Sequence, residues 1–166
     1  KSRQMLDSWR FDTAITEILN GEELIDRFCR QCCSIVFMDS GLFKIKTIIP
    51  SKMTPIAYIR EGEHIISQKM EFTKTEDIYN SFVFNYKYDY PNKKYSGVIV
   101  RDRKNDQECR NSYAVNGFER SKSAIDFQDI ISENTANMLA DVYTSLYARR
   151  RVFLDCGLIY NQEVID

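Results

Sequence analysis

The chain has 166 residues, of which 43% are hydrophobic, 28% charged and 13% aromatic, and its formal net charge is −1. That length suffices for one domain burying roughly 68–70% of its unfolded surface, and the aromatic content excludes a disordered or collagen-like polymer. The near-zero charge provides no field to hold nucleic acid, and no apolar run approaches the roughly 20 residues of a membrane span, so a soluble chain with neither partner is expected.

Taken in chain order, residues 11–18 alternate weakly and predict a short strand, closed by Asn20-Gly21. Glu22 and Glu23 then place negative charge at the positive end of a helix dipole, predicting a helix over 21–33. Leu24, Ile25, Phe28, Cys29 and Cys32 form its expected buried stripe, with Asp26, Arg27, Arg30 and Gln31 on the wet side. The apolar run 34–38 and the Asp39-Ser40-Gly41 turn predict a hairpin. In its return arm Phe43, Ile45, Thr47 and Ile49 share one face, Lys44 and Lys46 the other, and Pro50 stops the ladder. The helix is expected to lie over this small sheet.

Residues 51–79 predict only short extended pieces, near 56–59 and 64–72. Phe82, Phe84, Tyr86, Tyr88 and Tyr90 alternate with polar positions and predict a long aromatic strand, which Pro91-Asn92-Lys93 turns into an antiparallel arm over 95–101. Residues 102–116 are polar and predict a connecting loop with one helical turn near 105–110. Ser132 as N-cap, Glu133 in the first turn and Ile131 as a staple against Ala136 predict a second helix over 132–149. Its expected stripe is Ala136, Leu139, Tyr143, Leu146 and Tyr147, with Arg149-Arg150-Arg151 at its negative end. A last strand starts at Val152 and is interrupted at Gly157. The predicted fold class is α+β: small mixed or antiparallel sheets with two main amphipathic helices, in one domain over 1–166 or two lobes, 1–50 and 60–166.

The chemistry-bearing residues are few. Five cysteines, an odd number, predict free thiols in a reducing compartment. Cys29, Cys32 and Cys33 lack the second ligand pair a zinc site needs, so they are read as small apolar groups at a helix end. His64 is the single histidine, with no nucleophile motif near it. Glu22/Glu23, Asp102/Asp106 and Asp126/Asp129 sit at caps and turns. No catalytic residue, cofactor or metal site is therefore expected. Two other readings stay open: a sugar- or peptide-binding module presenting the 82–90 aromatic strand, its binding face Tyr86, Tyr88 and Tyr90, and a hydrolase using carboxylates distant in the chain.

Asn20-Gly21-Glu22-Glu23-Leu24-Ile25, the helix to Cys33, and Phe37-Met38-Asp39-Ser40-Gly41-Leu42-Phe43-Lys44-Ile45 resemble the helix-then-hairpin segment of bacteriophage tail hub proteins, the tail-associated or baseplate-hub family. Further along, the order resembles that family too. Thr75 to Ser81 leads into the aromatic strand, a Ser112-Tyr113…Gly117 turn follows, and a helix with spaced Thr135, Ala136, Leu139 and Ala140 ends in arginines before a Val/Phe strand. The resemblance covers most of residues 11–156. It implies a non-enzymatic virion component, part of a trimeric hub in the parent protein, with other tail proteins as partners. The implied location is the virion tail, after synthesis in the host bacterial cytoplasm. No tube-like barrel or lytic domain accompanies the pattern, and the cysteine cluster departs from it. Since the first residue is Lys1, the chain is expected to be a piece of a longer polypeptide.

Overall fold

A computed structural model describes residues 9–15, 20–48 and 65–158. The fold class is α+β: among the described residues three α-helices accompany one three-stranded sheet and two two-stranded ribbons. The strand pieces expected near 56–59, the stop at Pro50 and the neighbourhood of His64 lie outside the described residues.

Helix α1, Gly21–Gln31, begins where Asn20 Oδ1 accepts from the Glu22 amide at 3.1 Å, satisfying a donor the helix itself cannot pair. It stops two residues earlier than expected. The Cys32 amide folds back on the Phe28 carbonyl at 2.9 Å, and Cys33 turns the chain with a left-handed φ of 49°. Strands β1, Ser34–Asp39, and β2, Leu42–Thr47, form the expected hairpin, with Ser40 and Gly41 both at positive φ as a tight two-residue turn requires. The helix does not cover this hairpin, contrary to expectation. Only its root is packed, where Thr47 is buried and its hydroxyl meets that of Ser34 at 3.1 Å.

The core lies in the second half of the chain. Strand β4, Phe82–Asp89, pairs antiparallel with β5, Lys94–Arg101, and parallel with the three-residue β6, Ile125–Phe127. Helix α3, Glu133–Tyr147, crosses one face of this sheet, capped by the Ser132 hydroxyl. Its buried side is Thr135, Ala136, Leu139, Ala140 and Thr144, so small residues let the helix approach the stacked rings of Phe82, Phe84 and Phe127 closely. The larger stripe residues Tyr143 and Tyr147 sit half-buried at the margin of this contact. Ile131 remains exposed, so the expected staple does not seal the N-terminus.

Three further expectations are corrected. Residues 11–15 form no strand; the Arg10 amide donates to Thr135 Oγ1 at 3.1 Å and the Asp12 amide to the Asp129 carbonyl at 2.8 Å, so this segment straps across the core behind the buried Trp9. The polar stretch after β5 holds a ten-residue helix, α2, Gln107–Asn116, capped by Asp106 and closed by Gly117 at a φ of 73°. Its amphipathic pattern is faint because only Cys109 and Ser112 are buried. The final strand, β7, Val152–Leu158, runs through Gly157 and pairs antiparallel with β3, Ile65–Phe72. A Cβ on Gly157 would lie 2.6 Å from Ser67 Oγ, so glycine suits this close cross-strand approach rather than ending the strand.

The pairing of Tyr86 with Gly97 shows how the sheet accommodates its largest rings. The tyrosine ring lies over the glycine, and an added Cβ there would stand 2.4 Å from Tyr86 Cζ. Gly97→Ala is expected to displace that ring and cost roughly 1–3 kcal/mol, as overpacking does. A urea titration of the variant beside the parent chain measures this; an unchanged midpoint would show that the ring moves freely.

Candidate functional site

Two arrangements stand out: a cleft bordered by α1, residues 122–127 and α3, and the uncovered faces of the two ribbons. The cleft encloses about 710 Å³. Two of its lining residues, Arg27 and Gln31, engage Asp129, whose side chain is fully buried. Gln31 Nε2 donates to its carboxylate at 2.7 Å, the Asp129 amide donates back to Gln31 Oε1 at 3.0 Å, and the Tyr90 hydroxyl approaches at 3.4 Å. Arg27 Nε stands 3.1 Å from the same carboxylate without a directed hydrogen-bond angle, so charge attraction holds this pair. Arg27 and Gln31, expected on the wet side of α1, thus face inward. Ile25, expected inside, is 49% exposed.

Most of the other charged groups of the cleft have counterparts within the chain. Arg30 pairs with Asp26 at 2.6 Å, one helical turn away. Lys122 Nζ sits 4.4 Å and 4.1 Å from the ring centres of Tyr79 and Tyr147, so the chain's own ammonium occupies that aromatic pair. Asp126 accepts from Asn85 Nδ2 at 2.8 Å. Burial pushes the Tyr143 phenol up to about 12, and that hydroxyl donates to the Arg30 carbonyl at 3.3 Å. These contacts hold the cleft walls together and leave little unpaired polarity to recognise a small molecule.

The aromatic strand divides into two environments. Phe82, Phe84 and Tyr86 enter the core, Tyr86 at 9% exposure. Tyr88 and Tyr90 are half-buried and pack edge to face at 5.0 Å, with Tyr95 at 4.8 Å from Tyr88. The Tyr90 hydroxyl also accepts from the Ala14 amide at 3.2 Å. Tyr86, Tyr88 and Tyr90 therefore do not share one open stacking face.

All five thiols are free. Burial pushes Cys32 up to about 11 and Cys33 and Cys109 up to about 12, which keeps them protonated and poorly nucleophilic at neutral pH. Asp102 accepts from the Lys104 amide at 2.8 Å and Asp106 caps α2, both as turn and cap positions require. The three arginines after α3 serve separate elements rather than its C-terminus. Arg149 pairs with Glu108 of α2, Arg150 stacks 4.9 Å over Phe72, and the Arg151 backbone exchanges hydrogen bonds with Thr73. Among the described residues no three Cys, His, Asp or Glu side chains converge on a metal position, and no helix is long and apolar enough to cross a membrane.

The ribbons carry the exposed apolar surface. In the hairpin, Val36 stands opposite Ile45 and Met38 opposite Phe43; Met38, Phe43 and Ile45 are 64%, 77% and 66% exposed. In the β3–β7 ribbon, Met70 stands opposite Leu154 and Phe72 opposite Val152, all of them exposed. Cross-strand partners lie on the same side, so each ribbon has one largely apolar face that the described residues leave mostly open, with Val36 half-buried in the hairpin and Arg150 over Phe72 in the other ribbon. Sequence periodicity identified the hairpin face but not that it is left bare. No family model matches the chain, and no curated protein matches it.

Two expectations follow from this geometry. Asp129→Ala strands Arg27 and Gln31 and should lower stability by about 3 kcal/mol, the low end for breaking a buried pair, because Arg27 retains some contact with water; Asp129→Asn should cost less, and denaturant midpoints rank the two. Thiols raised in the folded state keep protons that the unfolded chain releases, so their contribution to stability is intact below about pH 9 and is lost as pH climbs toward 11–12. A combined Cys33→Ala and Cys109→Ala variant should lose less stability between pH 8 and about 11 than the parent chain, read from denaturant midpoints at each pH.

Proposed function

We propose that this chain is a non-enzymatic structural component of a phage or prophage tail tip or baseplate hub, where it assembles with tail-tube and tip proteins. The observation that carries the reading is the pair of ribbons with bare apolar faces, set on a body whose charged groups are largely paired internally. Isolated two-stranded ribbons are marginal in water, and contiguous exposed apolar surface marks a protein interface. A subunit that gains its final burial from neighbours has these properties. The resemblance of the helix-then-hairpin segment and of the downstream order to tail hub proteins supplies the specific setting. On this reading the protein resides in the virion tail and works by contact.

Particles made by the phage or prophage that encodes the chain provide the test. Gold-labelled antibodies against it should mark one end of the tail, and a nonsense mutation in its coding sequence should leave heads without complete tails. Label on the head, or normal tails in the mutant, would refute the proposal.

A further inference from the structure

The cleft between α1 and α3 meets the sheet at a strand edge. Every residue from Lys122 to Phe127 lines it, whereas a cleft laid against one face of a strand would meet only alternate residues. In the order β5-β4-β6 the strand β6 is terminal, so one of its sides has no neighbouring strand. The register fixes which main-chain groups lie on that side. The Lys87 amide of β4 donates to the Ile130 carbonyl beyond β6, so the odd-numbered residues of β4 turn their amides and carbonyls toward β6. Asn85, opposite Asp126, then bonds to the flanking Ile125 and Phe127, and the amides and carbonyls of Ala124 and Asp126 point outward. Among the described residues nothing bonds these outward groups, and both residues are exposed.

We propose that the cleft binds an extended segment of another protein chain, which adds to β6 as a further strand. Main-chain bonds to Ala124 and Asp126 hold such a segment, and its alternate side chains set the choice of sequence. With α1 on the far side, the space beside β6 admits a single extended segment, whereas the edge of a folded sheet would drive its own covering layer into α1. The two faces of β6 specify the side chains. Ile125, Tyr143 and Tyr147 lie half-buried against the core on the α3 side, so the bound segment is apolar there. Asp126 points to the opposite face, where its contact is the neutral Asn85 amide, so a lysine or arginine fits beside it. The remaining charge agrees: Arg27 and Arg30 have Asp129 and Asp26, while Glu23 has no ionic partner among the described residues, which leaves two carboxylates against the one ammonium of Lys122. The segment therefore alternates apolar and basic residues. This site is separate from the two ribbons, and the inference does not rest on the tail reading.

A yeast-displayed library of random heptapeptides, selected on the full chain, tests it. Enriched sequences should alternate apolar residues with lysine or arginine, and a synthetic peptide of that sequence should bind the full chain in fluorescence anisotropy. Methylating the backbone nitrogens of every second residue of that peptide should abolish binding in one frame and spare it in the other, because an added strand offers only alternate amides to β6. Ala124→Pro removes an outward donor without touching the β4 ladder and should weaken the same peptide roughly tenfold. A selection that enriches no such alternation, methylation that acts alike in both frames, or undiminished binding to Ala124→Pro would each overturn the proposal. Circular dichroism checks that Ala124→Pro keeps the fold; should it lose it, the methylation comparison, made on the unaltered chain, decides alone.

Discussion

The arrangement of the N-terminal half depends on one buried carboxylate. Asp129 lies in the turn after β6, where the sheet meets the cleft, and a charge at zero exposure is tolerated only when it is paired and hydrogen-bonded. Its partners come from three separate parts of the chain: Arg27 and Gln31 from α1, Tyr90 from the end of the β4–β5 hairpin, and the Asp12 amide, which takes its backbone carbonyl. Satisfying this group therefore orients α1 on the body, and with α1 the hairpin that follows directly from it. An apolar residue at the same position would fill space without setting that orientation.

This constraint explains why α1 presents an inner face that its apolar periodicity does not predict. A helix rotated to bury Leu24, Ile25 and Phe28 together would turn Arg27 and Gln31 away from Asp129. The uncompensated carboxylate would cost several kcal/mol, more than the roughly 1–2 kcal/mol regained by fully covering one isoleucine. Leu24 and Phe28 are half-buried and Ile25 faces water. The electrostatic requirement outweighs one apolar side chain, and the helix settles accordingly.

Polar pairing and apolar exposure are distributed in complementary fashion over the molecule. Around the cleft, where a ligand site would ordinarily be sought, acids, bases and rings engage one another: Arg30 with Asp26, Lys122 with two tyrosines, Asp126 with Asn85. On the two ribbons, apolar side chains face outward and the described residues leave them largely uncovered. Such a surface fits association through extended faces better than recognition of a small molecule, and this balance underlies the proposed role in an assembly.

Local chemistry written in the sequence determined much of the fold. The caps at Asn20 and Ser132, the Asp39-Ser40-Gly41 turn and the strict alternation from Phe82 onward act within a few residues of themselves, so the α1 start, both hairpins and α3 were legible without coordinates. Helix α2 and strand β6 were not, since one buries only two residues and the other has three, too few for a period to register. The candidate faces divide the same way. Which side chains share a hairpin face follows from a period of two, but whether that face is covered depends on elements far away in the chain. The pairing of Gln31 with Asp129 spans 98 positions, and that of β3 with β7 joins segments on either side of the core. Only tertiary structure decides such contacts, because burial and charge compensation are properties of what meets in space, and sequence spacing carries no record of them.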